Sequence, residues 1–134
     1  MVESLLNYQV LGEGAPLLLI HGWGVSFTIW RDLIPHLSPH YKLIIPELPG
    51  IGRSPMPPAK PYYEASAAAL ENLRQALEIP RWHVLGYSMG GWTARAYARS
   101  WPQHVDRLIF LCIARPVPVA ARLLLGLKTI DHAF

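Results

Sequence analysis

The stretch His83-Val84-Leu85-Gly86-Tyr87-Ser88-Met89-Gly90-Gly91 decides how the rest of the chain is read. An apolar strand segment, 82–86, runs into it, and a helical segment, 90–99, leaves it. A strand that becomes a helix within Gly86-Tyr87-Ser88-Met89-Gly90 must turn sharply, which pushes the serine hydroxyl out above the sheet. Side chains at Gly86 and Gly90 would clash with the neighbouring strand or helix as that turn tightens. The Met89 N–H, at the helix start, faces outward with the positive end of the helix dipole behind it. Ser88 is therefore a candidate nucleophile. The plainer alternative is a solvent-exposed Gly/Ser turn in some other α/β fold. A dinucleotide phosphate loop needs Gly-x-Gly-x-x-Gly, a spacing that Gly86, Gly90 and Gly91 do not have.

Upstream, Ile20-His21-Gly22-Trp23-Gly24 follows a continuous apolar run at 17–20, as expected for a strand buried on both faces. Acyl transfer needs two N–H donors aimed at a developing oxyanion. One comes from the residue after the nucleophile and one from a loop at the same sheet edge. Gly22 and Gly24 let the backbone turn in close, and the Trp23 amide then points inward. His21 admits two readings, a general base or a brace for this loop, and analogy with the motif favours the brace. Trp23, Tyr87 and Trp92 are candidates for an apolar acyl pocket, with ordinary core packing as the alternative. His36 and His40 read as surface residues, and Cys112 as a small core residue.

Short apolar strands alternate with helical segments along the chain, the pattern of a parallel sheet covered by helices. An edge strand is expected at 8–11, ending in Gly12-Glu13-Gly14. A helix at 29–37 places Trp30, Leu33, Ile34 and Leu37 at helical spacing. A strand follows at 42–45, then a Pro/Gly-rich loop at 46–61. Next come a helix at 63–77 stopped by Pro80, and a strand at 107–113 after the 90–99 helix.

Composition narrows the class. The 134 residues suit one domain, 51% are hydrophobic and 16% charged, which is a globular balance. A net charge of +3 without a basic run gives no nucleic-acid footprint. The longest apolar runs, 17–20 and 108–114, fall far short of the about 20 residues a membrane span needs. The start, Met1-Val2-Glu3-Ser4, lacks a positively charged n-region, and one cysteine forms no internal disulfide. A cytoplasmic protein is expected.

The segments LLLIHGWG, ELPGIGRS and HVLGYSMGG, in that order and at those separations, resemble the α/β-hydrolase superfamily over most of 17–113. HGWG with Trp30 seven residues on, then LPGIGRS, is similar to carboxylesterases that cleave pimeloyl-acyl-carrier-protein methyl ester in biotin synthesis. The resemblance implies an α/β-hydrolase fold, a mostly parallel sheet with flanking helices. It also implies a serine hydrolase cleaving a carboxylic ester. Ser88 would be its nucleophile, the Trp23 and Met89 amides its oxyanion hole, and His21, Gly22, Gly86 and Gly90 its supports. It implies no metal and no organic cofactor, and a small-molecule or acyl-carrier ester as substrate. Serine at 88 argues against the dehalogenase and epoxide hydrolase branches, which use a carboxylate nucleophile. One departure stands out. The family usually has Asp where this chain has Glu47, and Glu is one methylene too long for the same turn geometry.

In this fold the catalytic order is Ser, then Asp or Glu, then His. Ser88, Asp106 and His132 have that order, with His104 and Asp131 nearby. A helix of the length of 91–101 carries the chain roughly 16 Å from the turn. Asp106 and His104 should therefore lie at the opposite sheet edge, and His132 is two residues from the terminus. The simpler expectation is that 1–114 is the N-terminal part of the core and 115–134 begins a lid. The fold would then be truncated before the later strands that carry the acid and histidine. An amphipathic membrane-surface helix is the other reading of 115–134. The chain alone should show little or no turnover, and its open sheet edge invites self-association. Two alternatives remain: a non-catalytic hydrolase remnant that binds a partner, and a C–C hydrolase or lyase on the same scaffold.

Overall fold

The computed structural model describes residues 6–56 and 61–113. Strand β1 (Tyr8–Leu11) and β2 (Ala15–Ile20) open the chain. A 3-10 turn (Phe27–Trp30), a one-turn helix α1 (Ile34–Leu37) and β3 (Tyr41–Pro46) follow. Helix α2 (Tyr62–Ala76), β4 (Trp82–Tyr87), α3 (Met89–Ser100) and β5 (Val105–Leu111) complete the described elements. The five strands form one sheet in the order β1-β3-β2-β4-β5, with β1 antiparallel and all other neighbours parallel.

The run Leu17-Leu18-Leu19-Ile20 serves both faces because successive strand side chains point to opposite sides. Leu18 and Ile20 join Ile44 and Val84 under α2 and α3, where Leu70, Leu73, Ala94 and Tyr97 close that core. Leu17 and Leu19 join Leu43, Ile45 and Trp30 on the other face, under Leu33, Ile34 and Leu37. Helix α2 forms because Ala, Leu and Glu dominate 64–73. It ends at Leu77, where Glu78 turns to φ 53° ahead of Pro80. Helix α3 stops at Trp101, before Pro102.

Two expectations are corrected. The segment 29–37 is not one helix but the 3-10 turn and α1, because Pro35 opens α1 and has no N–H to continue a longer ladder. Its apolar residues Trp30, Leu33, Ile34 and Leu37 still pack on one core. The last strand ends at Leu111, and Cys112 adopts φ 53° as an exposed free thiol instead of a core residue. Among the described residues β5 ends the sheet, and its Leu108, Ile109, Phe110 and Leu111 keep 36–44% of their surface exposed. The lid and membrane-surface readings of 115–134 lie outside the described residues. Among the described residues no helix is long and apolar enough to cross a membrane.

Candidate active site

Ser88 stands between β4 and α3 with φ 51° and ψ −120°. A non-glycine residue there carries strain of order 1–3 kcal/mol, which the surroundings must hold in place. They do so from both sides. The Ser88 N–H donates to the Leu111 carbonyl at 2.9 Å, and the Ser88 carbonyl accepts from the Gly91 N–H at 2.9 Å. A Cβ on Gly86 would sit 2.5 Å from the Gly90 carbonyl oxygen, and one on Gly90 would overlap the Ile20 and His21 carbonyl oxygens. Those two absent side chains let the helix start press against both β4 and the end of β2. Ser88 itself stays half-buried.

The His21–Gly24 loop lies directly against this turn. A Cβ on Gly22 would be 3.2 Å from both Ser88 Cβ and Tyr87 Cδ1. Among the described residues neither the Trp23 nor the Met89 N–H donates to a main-chain carbonyl. The Trp23 side chain is 78% exposed. His21 is buried with both ring nitrogens engaged: Nε2 accepts from the Leu48 N–H at 2.9 Å, and Nδ1–H donates to the Gly22 carbonyl at 2.8 Å. Burial lowers its pKa, against the Gly22 bond and the Glu47 charge, which raise it. The ring is thus a neutral link between the 47–54 loop and the Gly22 loop, with no nitrogen left for the Ser88 hydroxyl.

Glu47 corrects the expectation that its side chain is too long for the turn. Its Oε2 accepts from the Arg53 N–H at 2.9 Å and from Asn7 Nδ2 at 2.8 Å. Room for the extra methylene comes from Gly52, at φ 54°, where a Cβ would overlap the carboxylate. Ser54 Oγ completes the knot, donating to the Glu47 carbonyl at 2.7 Å and accepting from the Asn7 N–H at 2.9 Å.

Asp106 and His104 sit away from Ser88, as the helix length implied. β4 begins at Trp82 opposite Val105, whereas Gly86 lies opposite Phe110, so the strand length separates them from Ser88 by roughly 20 Å. Asp106 is engaged by Arg81 Nε at 2.6 Å. Asp131 and His132 lie outside the described residues. Among the described residues no carboxylate or imidazole hydrogen-bonds the Ser88 hydroxyl. The three aromatic candidates do not gather into one pocket. Tyr87 packs edge-on against Trp30 at 6.3 Å, Trp92 lies beneath Arg95, and Trp23 faces solvent. His36 and His40 are exposed.

One buried polar cluster escaped the sequence reading. Glu71 accepts from Arg74 Nη2 at 2.7 Å, Arg74 Nε at 3.0 Å, Tyr97 Oη at 2.8 Å and Gln75 Nε2 at 3.0 Å. His104 Nδ1 lies 3.3 Å from Glu71 Oε2, and Arg74 Nη1 donates onward to the Ile79 carbonyl. Burial alone would raise the Glu71 carboxyl, but the Arg74, Tyr97 and Gln75 bonds with the Arg74 charge bring it down to about 2. The spacing of Glu71 and Arg74, one turn apart on α2, was the one available signal.

The α/β hydrolase fold family model matches residues 15–131. The pimeloyl-[acyl-carrier protein] methyl ester esterase of Pectobacterium carotovorum is 39% identical over 109 residues, covering 79% of this chain and 40% of that protein. A thermophilic esterase from Thermogutta terrifontis superposes with a TM-score of 0.78 at 31% identity, covering 89% of this chain and 44% of that one. A meta-cleavage product hydrolase from Pseudomonas fluorescens gives a TM-score of 0.76 at 32% identity, covering 92% and 48%. The chain spans 30–44% of the length of the curated relatives it matches. With the strained serine turn, the parallel sheet and this match over most of its length, the chain belongs to the α/β-hydrolase fold family.

Proposed function

We propose that Ser88 is the nucleophile of a serine hydrolase acting on a carboxylic ester. The observation that carries this reading is its φ of 51° at the β4–α3 junction, with the Gly22 loop packed against it. Ser88 Oγ attacks the ester carbonyl, and the Trp23 and Met89 N–H groups receive the oxyanion. The alkoxide leaves as the alcohol once protonated, and water then releases the acid from the acyl-enzyme. His21 braces the oxyanion loop through the bonds described above. The histidine that takes the Ser88 proton, and its orienting acid, lie outside the described residues. No metal or organic cofactor enters these steps.

The narrower substrate is the methyl ester of a carrier-bound acyl chain, as in the Pectobacterium relative's name. A small-molecule ester uses the same chemistry. The likeness to the meta-cleavage product hydrolase favours one second reading, C–C cleavage by the same serine. A cytoplasmic location suits the exposed thiol of Cys112.

A chimera in which this chain replaces the matching part of the Pectobacterium esterase tests the reading. It should hydrolyse short methyl esters, and Ser88→Ala should cost at least about a thousandfold in kcat. Ester turnover unchanged by Ser88→Ala would overturn the assignment. Faster cleavage of a dicarbonyl substrate than of any ester would favour the second reading. The isolated chain should hydrolyse p-nitrophenyl butyrate no faster than its Ser88→Ala variant.

A further inference from the structure

A groove between the N-terminal half of α2 and the outer face of α3 lies apart from the ester chemistry, which leaves its residues unused. It encloses about 300 Å³. Arg95 and Arg99, one helical turn apart on α3 and both exposed, line it together with Trp92 and Tyr63. The Arg95 guanidinium lies 5.6 Å from the centre of the Trp92 ring, which orients a planar cation before any ligand arrives. Side chains four residues apart on a helix start about 6 Å apart, so two guanidinium groups at this spacing can close on one anion. Glu64 is the carboxylate among the described lining residues. Among the described residues neither arginine is ion-paired with it or with any other acid, whereas Arg74 and Arg81 each hold a carboxylate.

We infer that this groove binds an anionic group, a phosphate or a carboxylate, carried on a ligand whose flat body lies against Trp92 and Tyr63. The two arginines supply charge-assisted hydrogen bonds, and the aromatic pair supplies apolar area that a bare inorganic ion cannot use. Glu64 opposes the anion and sets an upper limit on its affinity. The inference is independent of the ester-hydrolase reading, and its measurement does not require turnover.

The test titrates the whole chain at low salt with phenyl phosphate, inorganic phosphate and benzoate, following the Trp92 indole N–H and the arginine Nε–H signals by NMR. Saturable shifts confined to Trp92, Arg95 and Arg99 are expected, with phenyl phosphate tighter than inorganic phosphate. Arg95→Gln should weaken phenyl phosphate about tenfold, and Arg95→Gln/Arg99→Gln should abolish saturation. Glutamine keeps the helix, and unchanged signals elsewhere certify the fold. Glu64→Gln should tighten binding several-fold. Phenyl phosphate without benzoate, or the reverse, identifies which anion the site takes. Shifts spread over all exposed arginines, or surviving in the double variant, would overturn the inference.

Discussion

Ser88 holds its left-handed backbone against the preference of any side chain, and that strain is measurable. Ser88→Gly should stabilise the chain by about 1 kcal/mol relative to Ser88→Ala, because glycine alone relaxes at this φ. Urea unfolding of the two variants checks it, and equal midpoints would argue against a strained turn. Gly86→Ala forces a methyl against the Gly90 carbonyl and should cost more than about 2 kcal/mol on the same assay. The motif residues were readable in advance because each answers to a local backbone demand. Glu47 was misjudged because its fit depends on Gly52, five residues on, whose missing side chain makes the space. Gly52→Ala should therefore destabilise less in a Glu47→Asp background, where the carboxylate is withdrawn and only the strain of φ 54° remains, than in the parent. A double-mutant cycle measures that coupling.

At the scale of elements, α2 and α3 are locked by Glu71, which binds its own helix through Arg74 and the neighbouring helix through Tyr97. Unfolded, this carboxyl titrates near the ordinary 4.5, and folded its bonds to Arg74, Tyr97 and Gln75 bring it to about 2. The folded state thus binds fewer protons in that window. The stabilisation is complete above the unfolded value and is lost as pH falls from about 4.5 towards 2. Glu71→Gln should cost about 3 kcal/mol at neutral pH and flatten the acid limb of a stability-versus-pH curve. An unchanged acid limb would show that the cluster does not carry the effect. Strand β5 is exposed, with four successive apolar residues at the end of the sheet among the described residues. Ile109→Lys should reduce concentration-dependent association in sedimentation, since a charge on an edge strand discourages pairing with another chain.

For the whole molecule, the alternation of apolar runs and glycine turns was enough to anticipate a mostly parallel sheet with helices on both faces. Leu17–Ile20 signalled a strand buried on both sides because every position in it is apolar. The break at Pro35 was harder to see, since Trp30, Leu33, Ile34 and Leu37 reach one core from two short turns as readily as from one helix. The Glu71 cluster was invisible for a different reason: Tyr97 and His104 come from other elements, and only the packing of α3 on α2 brings them together. The same holds for the proposed active site. Ser88 and the Gly22 loop declare themselves through local motifs, whereas a base and its acid reach a serine only through long-range topology. We propose that Ser88 forms the covalent acyl intermediate of an ester hydrolase. Acid quenching of the chimera during turnover of a p-nitrophenyl ester, followed by peptide mass mapping, tests this most directly. An acyl mass increment on the peptide holding Ser88, absent after Ser88→Ala, is the predicted result. An increment on another residue, or undiminished turnover with none on Ser88, would contradict it.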